Sequence, residues 1–423
     1  MIKKFLKYNP FNTSTLIKLL TLSLMKKIKL RPLFLMALFF VQCSVDDAGS
    51  IVELSQNLNS EKTQDVLNTG SGDSVVSNQT VTASSFDHQA MLINWADNII
   101  IPSISIFENA LYELKSKALD HVDSPTAVTL SNLRDAWLNG YLKWQYVEMF
   151  DIGIAEEIYY KNRINLYPAN SNKIESNIAS LDYNLDASSN FTAQGFNGLD
   201  YLLFGIAEDD TEILNKYSAP ELNYSTYLID LIDEMIELTN QVSDSWDDEF
   251  RDSFINSTEN TATSSINKVI NDFIFYFEKG FRANKIGIPA GIFSDRPLPD
   301  RVEAYYAKVY SKLLATEATK AIKNFFNGSG REDENLTGLG ISDYLDYIEI
   351  DNESKLSRKI NDQLETIELK LAELNPDFSV QVVQDNLPML YAYDVIQANV
   401  VLLKVDMLQK LNINVDYADA DGD

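Results

Sequence analysis

The sequence predicts an all-α protein made of two antiparallel four-helix-bundle-like domains. Helical periodicity runs through almost every segment after Phe86, and strand or hairpin signals are nearly absent. A length of 423 residues, 45% of them hydrophobic, provides enough apolar surface for two domains. The segments ADNIIIP at 96–102 and ANKIGIP at 283–289 share spacing and chemistry. They reflect either an internal duplication or a chance match between two short segments.

The N-terminal region has the order of a secretory signal. A cationic segment is followed by an apolar run at 33–41 and then by the only cysteine, Cys43. Because the run is too short to span a bilayer, residues 1–42 are predicted to be a lipoprotein signal peptide. Cys43 is the predicted lipidation site, although the residues before it are not the small ones usual in a lipobox. The alternative is an ordinary free cysteine, and Met25 fits the start of the leader better than Met1.

Residues 43–85 are predicted to be a flexible tether, because Ser, Asn, Asp, Thr and Gly dominate them. Ser44 directly after the cysteine is compatible with sorting to the outer membrane, and Asp46 and Asp47 resemble a surface-export tether. We therefore expect an outer-membrane lipoprotein on the periplasmic or cell-surface side, with the membrane as a partner through the lipid on Cys43.

The chain is strongly acidic, with a formal net charge of -27. Nucleic-acid binding needs a cationic surface, so this class of function is excluded. Cations and basic partners suit the charge, and solubility alone is the other explanation. A single cysteine also excludes an internal disulfide framework and a multi-thiolate metal site.

The first bundle is predicted over residues 86–250, where two long segments carry apolar stripes at steps of three and four. One stripe consists of Leu130, Leu133, Trp137, Tyr141 and Trp144, and the other of Leu228, Leu231, Met235, Leu238, Val242 and Trp246. The polar stretch at 252–265 is the predicted boundary with the next bundle.

The second bundle is predicted over residues 262–415. A helix within VEAYYAKVYSKLL is expected to bury Val302, Tyr305, Val309 and Leu313. The last long helix has Pro388 in its first turn and is expected to bury Tyr391, Val395, Ala398, Leu402 and Val405. Residues 416–423 form an acidic tail. It resembles the start of a calcium loop but stops before the later ligands, with its acids at Asp419, Asp421 and Asp423.

The familiar catalytic motifs are missing from the sequence. The two histidines, His88 and His121, are far apart and form no HExxH pair, and no GxSxG elbow occurs. No Walker-type phosphate loop or dinucleotide fingerprint is present either. The candidate chemistry therefore lies in carboxylates carried by apolar helices.

Glu148 continues the first apolar stripe by one more step of four and is expected to point inward. A carboxylate in a core needs a cation, a hydrogen-bond donor or a metal. Arg134, on the same predicted helix, is the expected partner. Three interpretations stay open: an ion pair of these two residues, a stripe that has reached solvent, and a ligand-binding carboxylate.

Asn197 and Asp200 form a polar pair in GFNGLDYLLFG, three residues apart on one side of a predicted helix. The core face of that helix consists of Phe196, Leu199, Leu203 and Ile206. Two oxygen donors suit a hard cation or a polar partner better than a transition metal. The alternative is helix capping, which is common for Asn and Asp near a helix start.

Four segments resemble the imelysin-like family, which was first described as a peptidase and includes proteins tied to bacterial iron uptake. The segments span most of the chain after the tether. They are MLINWADNIIIPSISIFENALYEL from Met91, LRDAWLNGYLKWQYVEMFDIG from Leu133, GFNGLDYLLFG from Gly195, and KIGIPAGIFSDRPLP with the following VEAYY from Lys285. The resemblance implies two similar four-helix bundles with a site between them.

The GxHxxE signature of that family falls on Gly195, Asn197 and Asp200. The glycine is kept, but asparagine replaces the histidine and aspartate replaces the glutamate. Losing the imidazole removes a general base and a strong ligand for iron or zinc. KIGIPAGIFS is expected to be a compact loop that either completes the site against the Asp200 helix or connects the bundles rigidly.

The first hypothesis is a non-catalytic lipoprotein that binds a ligand between its bundles and serves iron or haem uptake, as the resemblance implies. Asn197, Asp200, Glu148 and Arg134 are the predicted ligand-binding residues, and Asp200 and Glu148 the predicted metal ligands. Iron, haem and calcium are the candidate cofactors. An imelysin-type metallopeptidase is the alternative, disfavoured by Asn197, and a helical protein-interaction module is the third hypothesis.

Overall fold

The computed structural model describes residues 85–330, 337–350 and 352–416. These residues belong to one compact unit, Thr82–Asp423. The predictions for the leader, Met25, Cys43, nearly all of the tether and the acids of the C-terminal tail lie outside the described residues.

The first half of the described chain is helical in segments of very different length. Its longest element, α1, spans His88–Asp123, with a π-helical turn at Trp95–Ile100. The elements that follow are α2 at Ala127–Trp144, α3 at Ile154–Glu157, α4 at Tyr160–Ile164, α5 at Ser171–Ser180, α6 at Gly195–Asp200, α7 at Asp210–Tyr217, α8 at Tyr224–Ser245 and α9 at Asp248–Asn256. A π-helical turn, Tyr201–Gly205, continues α6.

The second half has the same character. Its helices are α10 at Ser265–Phe275, α11 at Ile288–Ala290, α12 at Ser311–Phe326, α13 at Ile341–Ile348, α14 at Leu356–Glu373, α15 at Phe378–Gln384, α16 at Leu387–Val401 and α17 at Leu408–Leu411. π-helical segments join α10 to α11 and α16 to α17, at Tyr276–Gly287 and Leu402–Met407. Short 3-10 turns lie at Ser188–Ala193, Pro220–Leu222 and Pro299–Arg301.

Extended structure in the described ranges is limited to one isolated bridge between Ser329 and Thr337. The prediction of an all-α fold is therefore confirmed. One described helix, α1, is long and apolar enough to cross a membrane by length and composition. More than half of its apolar window is buried inside the protein, as expected for a core helix.

Two sets of extensive helix contacts lie within the one compact unit. In the first, α1 lies against α2 and α8, and both stripes predicted for this bundle are buried. In the second, α14 packs against α12 and α16, and α16 also contacts the π-helical segment after α10. The domain boundary at 252–265 and the duplication stay predictions.

The similar segments ADNIIIP at 96–102 and ANKIGIP at 283–289 share a local structure. ADNIIIP runs through the π-helical turn of α1 and ends at Pro102, in the first turn of the α-helical part that follows. ANKIGIP runs through the π-helical segment after α10 and ends at Pro289, in the first turn of α11. Long π-helical stretches are rare, so this local structure is a specific likeness between the two segments, and the duplication itself stays a prediction.

The helix predicted over 302–313 is wrong. This segment is a series of turns, in which Ala304 and Lys308 have φ angles of 55° and 66°, and α12 begins only at Ser311. Val309 is 53% exposed, so the expected stripe is not a core face. The turns expose Val309 but bury Glu303, which becomes part of the site.

The helix predicted to begin near Pro388 exists as α16, with the proline in its first turn. Its predicted core face is wrong, because Tyr391 and Val405 are among the exposed large hydrophobic residues. The buried face lies to one side and consists of Met389, Ala392, Tyr393, Ile396, Asn399 and Val400. The helix is apolar nearly all round, so periodicity could not select the face.

Candidate functional site

The helix that carries the polar pair, α6, lies entirely in the interior, with all six of its residues buried. It enters from Gly195, whose φ is 66°. A Cβ at Gly195 would lie 2.2 Å from the carbonyl oxygen of Ile164. Only glycine therefore allows α6 to start this close to the end of α4. The predicted core face of Phe196, Leu199, Leu203 and Ile206 is buried as well.

Asn197 is buried, and its amide nitrogen donates to Asn165 Oδ1 at 2.9 Å. It lines a cavity of about 460 Å³, which we call the first cavity. Within the described residues, no donor contacts its side-chain carbonyl oxygen. That oxygen is also not among the fully buried polar atoms that lack a partner. Asn197 therefore presents an acceptor to the cavity. Its side chain caps no helix, because α6 starts without a side-chain cap.

Asp200 fastens the turn segment 302–310 to α6. Its two oxygens accept from the backbone N–H groups of Tyr306 and Ala307, both at 2.8 Å. Burial raises the pKa of Asp200 to about 7, against the lowering effect of the two amides and of Lys308. The carboxylate also lines the first cavity, but both of its oxygens already have partners within the protein.

Asn165, between α4 and α5, connects the residues behind Asn197. Its carbonyl oxygen accepts from Tyr141 at 2.6 Å as well as from Asn197. Its amide nitrogen donates to one oxygen of Glu148 and to one oxygen of Glu303, each at 2.9 Å. One amide thus joins four side chains from four parts of the chain.

Lys285 supplies the positive charge of this group, which we call the central cluster: Asn165, Glu148, Glu303 and Lys285. Its ammonium lies 2.8 Å and 2.7 Å from the two oxygens of Glu303, and 3.5 Å from Glu148 Oε2. Burial lowers the pKa of Lys285, but the two carboxylates outweigh it and raise the pKa above its ordinary value. Burial raises the pKa of Glu148, against the effect of Lys285.

The predicted pairing of Arg134 with Glu148 is wrong. Arg134 donates to both oxygens of Asp210, at 2.9 Å and 2.8 Å, and to the carbonyl oxygen of Leu203. Its guanidinium also lies over the ring of Phe204. Arg134 therefore ties α2 to α7 and to the turn after α6. Helix α2 ends at Trp144, so Glu148 lies in a turn and does not extend the stripe.

The loop predicted in KIGIPAGIFS is wrong in its first half, because the chain stays helical from Lys285 through Ala290. Gly291, whose backbone takes the left-handed conformation, then ends the helix. The helical part is what orients Lys285 toward the central cluster. Sequence reasoning missed Lys285, Glu303 and Asn165. The signal for the first two was a charged residue near the start of the mostly apolar segments KIGIPAGIFS and VEAYY, and Asn165 had no such signal.

The central cluster and Asp200 do not fit a bare metal ion. Lys285 occupies the cation position between the two glutamates, and Asp200 is bonded to backbone amides. In the described ranges, no three or more His, Cys, Asp or Glu side chains are grouped so as to hold a metal. The roles of Asp200 and Glu148 as metal ligands, and of Asn197 and Arg134 as ligand-binding residues, stay predictions.

Comparison with known proteins gives one family and three matching chains of solved structures, including the two that follow. The family model described as imelysin, peptidase M75, matches residues 100–392. A search of curated proteins finds no match.

The two structures show a similar fold at low sequence identity. One is described as an iron-regulated protein A precursor from Parabacteroides distasonis, with 16% identity, a TM-score of 0.63, and coverage of 78% of this chain and 97% of that one. The other is an imelysin-like protein from Psychrobacter arcticum, with 17% identity, a TM-score of 0.62 and the same coverage.

Proposed function

The chain belongs to the imelysin family, and on that premise we propose that it is a non-catalytic, ligand-binding outer-membrane lipoprotein that serves iron or haem acquisition. One observation carries the proposal. At the histidine position of the family signature, the buried Asn197 presents a carbonyl oxygen to the first cavity. The acids behind Asn197 are compensated by Lys285 and by Asn165.

The same geometry disfavours a peptidase. An amide at position 197 does not act as a general base, and Asp200 uses both oxygens to hold backbone N–H groups. Lys285 pairs with both Glu148 and Glu303, the glutamates that a catalytic metal would need. The residues are suited to holding a polar molecule in place rather than to activating water.

Iron would reach this cavity inside a larger ligand rather than as a bare ion. The first cavity, at about 460 Å³, is lined by amide and hydroxyl side chains, by the carboxylates of Asp200 and Asp300, and by the rings of Tyr305 and Tyr306. The exposed Arg301 also lines it, 3.7 Å from Asp300, and its guanidinium suits the carboxylates of haem or of an organic iron chelate. A structural neighbour described as iron-regulated supports the link to iron.

Anchoring through Cys43 completes the proposal. A lipid on that cysteine and the tether of residues 43–85 would hold the helical body at the membrane, on the periplasmic or cell-surface side. The formal net charge of the whole chain, -27, favours solubility and argues against nucleic acid as a partner.

Calorimetry on residues 44–423 tests the binding function, with ferric haem and ferric citrate as probes. We expect at least one of them to bind, and Asn197→Leu to weaken its binding by about tenfold, because leucine removes the acceptor in the cavity. The matched control is Asn399→Leu, since Asn399 is buried on α16 with both side-chain polar atoms lacking partners among the described residues. That control should bind like the wild type.

Two results would contradict the proposal. One is no binding of either probe, and the other is equal affinity in the wild type and Asn197→Leu. Peptide hydrolysis that a chelator abolishes and that metal restores would support the peptidase instead. Stoichiometric iron or zinc in the purified protein, lost in Glu148→Gln, would show that the metal-ligand prediction is right.

A further inference from the structure

The orientation of the Asn197 amide is fixed by the residues behind it. An amide presents an oxygen on one side and an NH2 group on the other, and a half-turn about its last bond exchanges the two. Asn197 therefore presents either an acceptor or a donor to the first cavity, and its neighbours decide which. The deciding neighbour is Asn165, which is 7% exposed and is bonded through both its oxygen and its nitrogen.

Two carboxylates set the orientation of Asn165. Glu303 has the Lys285 ammonium at 2.8 Å and 2.7 Å from its two oxygens, and a carboxylate in such a pair only accepts hydrogen bonds. The amide nitrogen of Asn165 lies 2.9 Å from Glu303 and 2.9 Å from Glu148. A reversed Asn165 would place its carbonyl oxygen against both carboxylates and lose two charge-assisted hydrogen bonds. Its nitrogen therefore points at the glutamates, and its oxygen points toward Asn197.

The oxygen of Asn165 in turn sets the orientation of Asn197. It accepts from the Tyr141 hydroxyl at 2.6 Å and from the Asn197 amide nitrogen at 2.9 Å. A reversed Asn197 would place its own oxygen against this carbonyl oxygen, at a position where Asn197 is only 3% exposed. Two buried acceptors facing each other are costly. The carbonyl oxygen of Asn197 therefore stays on the side of the first cavity.

The other groups around the first cavity favour a neutral donor over a cation. Two carboxylates line it, and both already have partners. Asp200 accepts from two backbone N–H groups, and Asp300 lies 3.7 Å from Arg301. Among the described lining residues, an ammonium group would therefore find no carboxylate without a partner. A hydroxyl group needs only an acceptor, and Asn197 supplies one.

We propose that Asn165 is the positioning residue that fixes Asn197 as an acceptor, and that the ligand of the first cavity presents a hydroxyl group to Asn197. The inference rests on the proposed function, from which it takes the ligand carboxylate that Arg301 suits. The ligand class is then a hydroxycarboxylate. Such molecules chelate ferric iron, so this class agrees with a role in iron acquisition.

The test compares two acids that differ in one functional group. 2-Hydroxyglutarate carries a hydroxyl where 2-oxoglutarate carries a carbonyl oxygen, which can only accept, and the two share their chain length and both carboxylates. Calorimetry on residues 44–423 at pH 7 should show the better enantiomer of 2-hydroxyglutarate binding about tenfold tighter or more. The reason is that the oxo acid would place a second acceptor against the Asn197 oxygen. The wild-type protein alone gives this result, so it does not depend on the folding of a variant.

Asn165→Leu tests the positioning role. Without Asn165, the Asn197 amide is free to reverse and to donate to a carbonyl oxygen, so the preference for the hydroxy acid should fall below about threefold. A purely structural role would weaken both acids equally and leave their ratio unchanged. The matched control is Asn361→Leu, which removes an amide bonded to Asn327 outside the lining of the first cavity and should keep the wild-type ratio.

The outcomes separate this inference from the proposed function. Equal affinity of the wild type for the two acids, or tighter binding of 2-oxoglutarate, overturns the inference and leaves the proposed function standing. An unchanged ratio in Asn165→Leu overturns the role of Asn165. Binding of ferric haem or ferric citrate without binding of either acid overturns the hydroxycarboxylate class alone. If none of the four ligands binds, the proposed function fails and the inference fails with it.

Discussion

The acids behind Asn197 and the acids around Asp272 are compensated in different ways. Glu303 has an ammonium on both of its oxygens, and Asp200 has two backbone amides. The Asp272 carboxyl has mainly acids for neighbours, opposed by Lys161, and its side chain has no hydrogen-bond or ion-pair partner in the described ranges. The first group contributes to the fold, because each charge is bonded to a part of the chain that it fixes in place.

The two groups of acids would therefore interact with a ligand in different ways. In the central cluster, a cation from outside would have to displace Lys285. Around Asp272, Lys161 and Lys268 lie near the acids, but no cation pairs with the Asp272 carboxyl itself in the described ranges. Near Asn197 each carboxylate already has a bonded partner within the protein, so a ligand there is recognised by hydrogen bonds and by shape.

Removing the cation from the central cluster should have the largest effect. Lys285→Met leaves Glu148 and Glu303 buried without their ammonium, and we expect it to lower the free energy of unfolding by about 3–5 kcal/mol. Urea unfolding followed by circular dichroism measures this loss. The control is Lys320→Met, which removes an exposed lysine paired with Glu317 and should change stability by less than about 0.5 kcal/mol.

Adding Glu303→Gln to Lys285→Met tests the cause of that loss. If the cost comes from the uncompensated carboxylates, the double variant should be more stable than Lys285→Met alone. A double variant as unstable as the single one would show that Lys285 matters through its packing and not through its charge.

Neutralising Asp272 should have a smaller effect that depends on pH. Its pKa is about 8 in the folded protein and near its ordinary value in the unfolded chain. The unfolded chain therefore loses this proton first, and the stability that Asp272 contributes at low pH is lost as the pH rises through 8. Asp272→Asn should exceed the wild type by about 1–2 kcal/mol at pH 9, with no such gain at pH 4. Thermal unfolding across this pH range tests it, and parallel curves for the two proteins would refute it.

Much of the fold could be predicted because the signal is local. The stripe of Leu133, Trp137 and Tyr141 is read from spacing alone, and these residues are buried in α2 as expected. The spacing of apolar residues predicted the wrong structure for 302–313. Ala304 and Lys308 there take left-handed backbone conformations, which a periodic pattern does not reveal. The bonds from Asp200 and Lys285 hold that segment in turns, and they come from residues about a hundred and about twenty positions away.

The functional roles of the site residues stay predictions, and the structure shows only which of these residues lie together. Asn197, Asp200 and Glu148 were selected by resemblance and by polar character on apolar helices, and Asn165 does bring Asn197 and Glu148 together. Arg134 was paired with Glu148 because both were placed on one helix, but α2 ends before Glu148 and Asp210 is the nearer acid. Which lysine or asparagine meets a given glutamate depends on contacts between distant segments, and no pattern within one segment contains that information.

Hydrogen exchange with and without ferric haem tests the central claim most directly, because it locates binding along the chain. The account predicts slower exchange at 195–205 and at 299–310, the two segments that line the first cavity around Asn197 and Asp200. Exchange at 265–275, in α10 and outside the lining of the first cavity, should not change. Unchanged exchange in the first two segments, or slowing confined to the third, would contradict the claim that Asn197 marks a ligand-binding site.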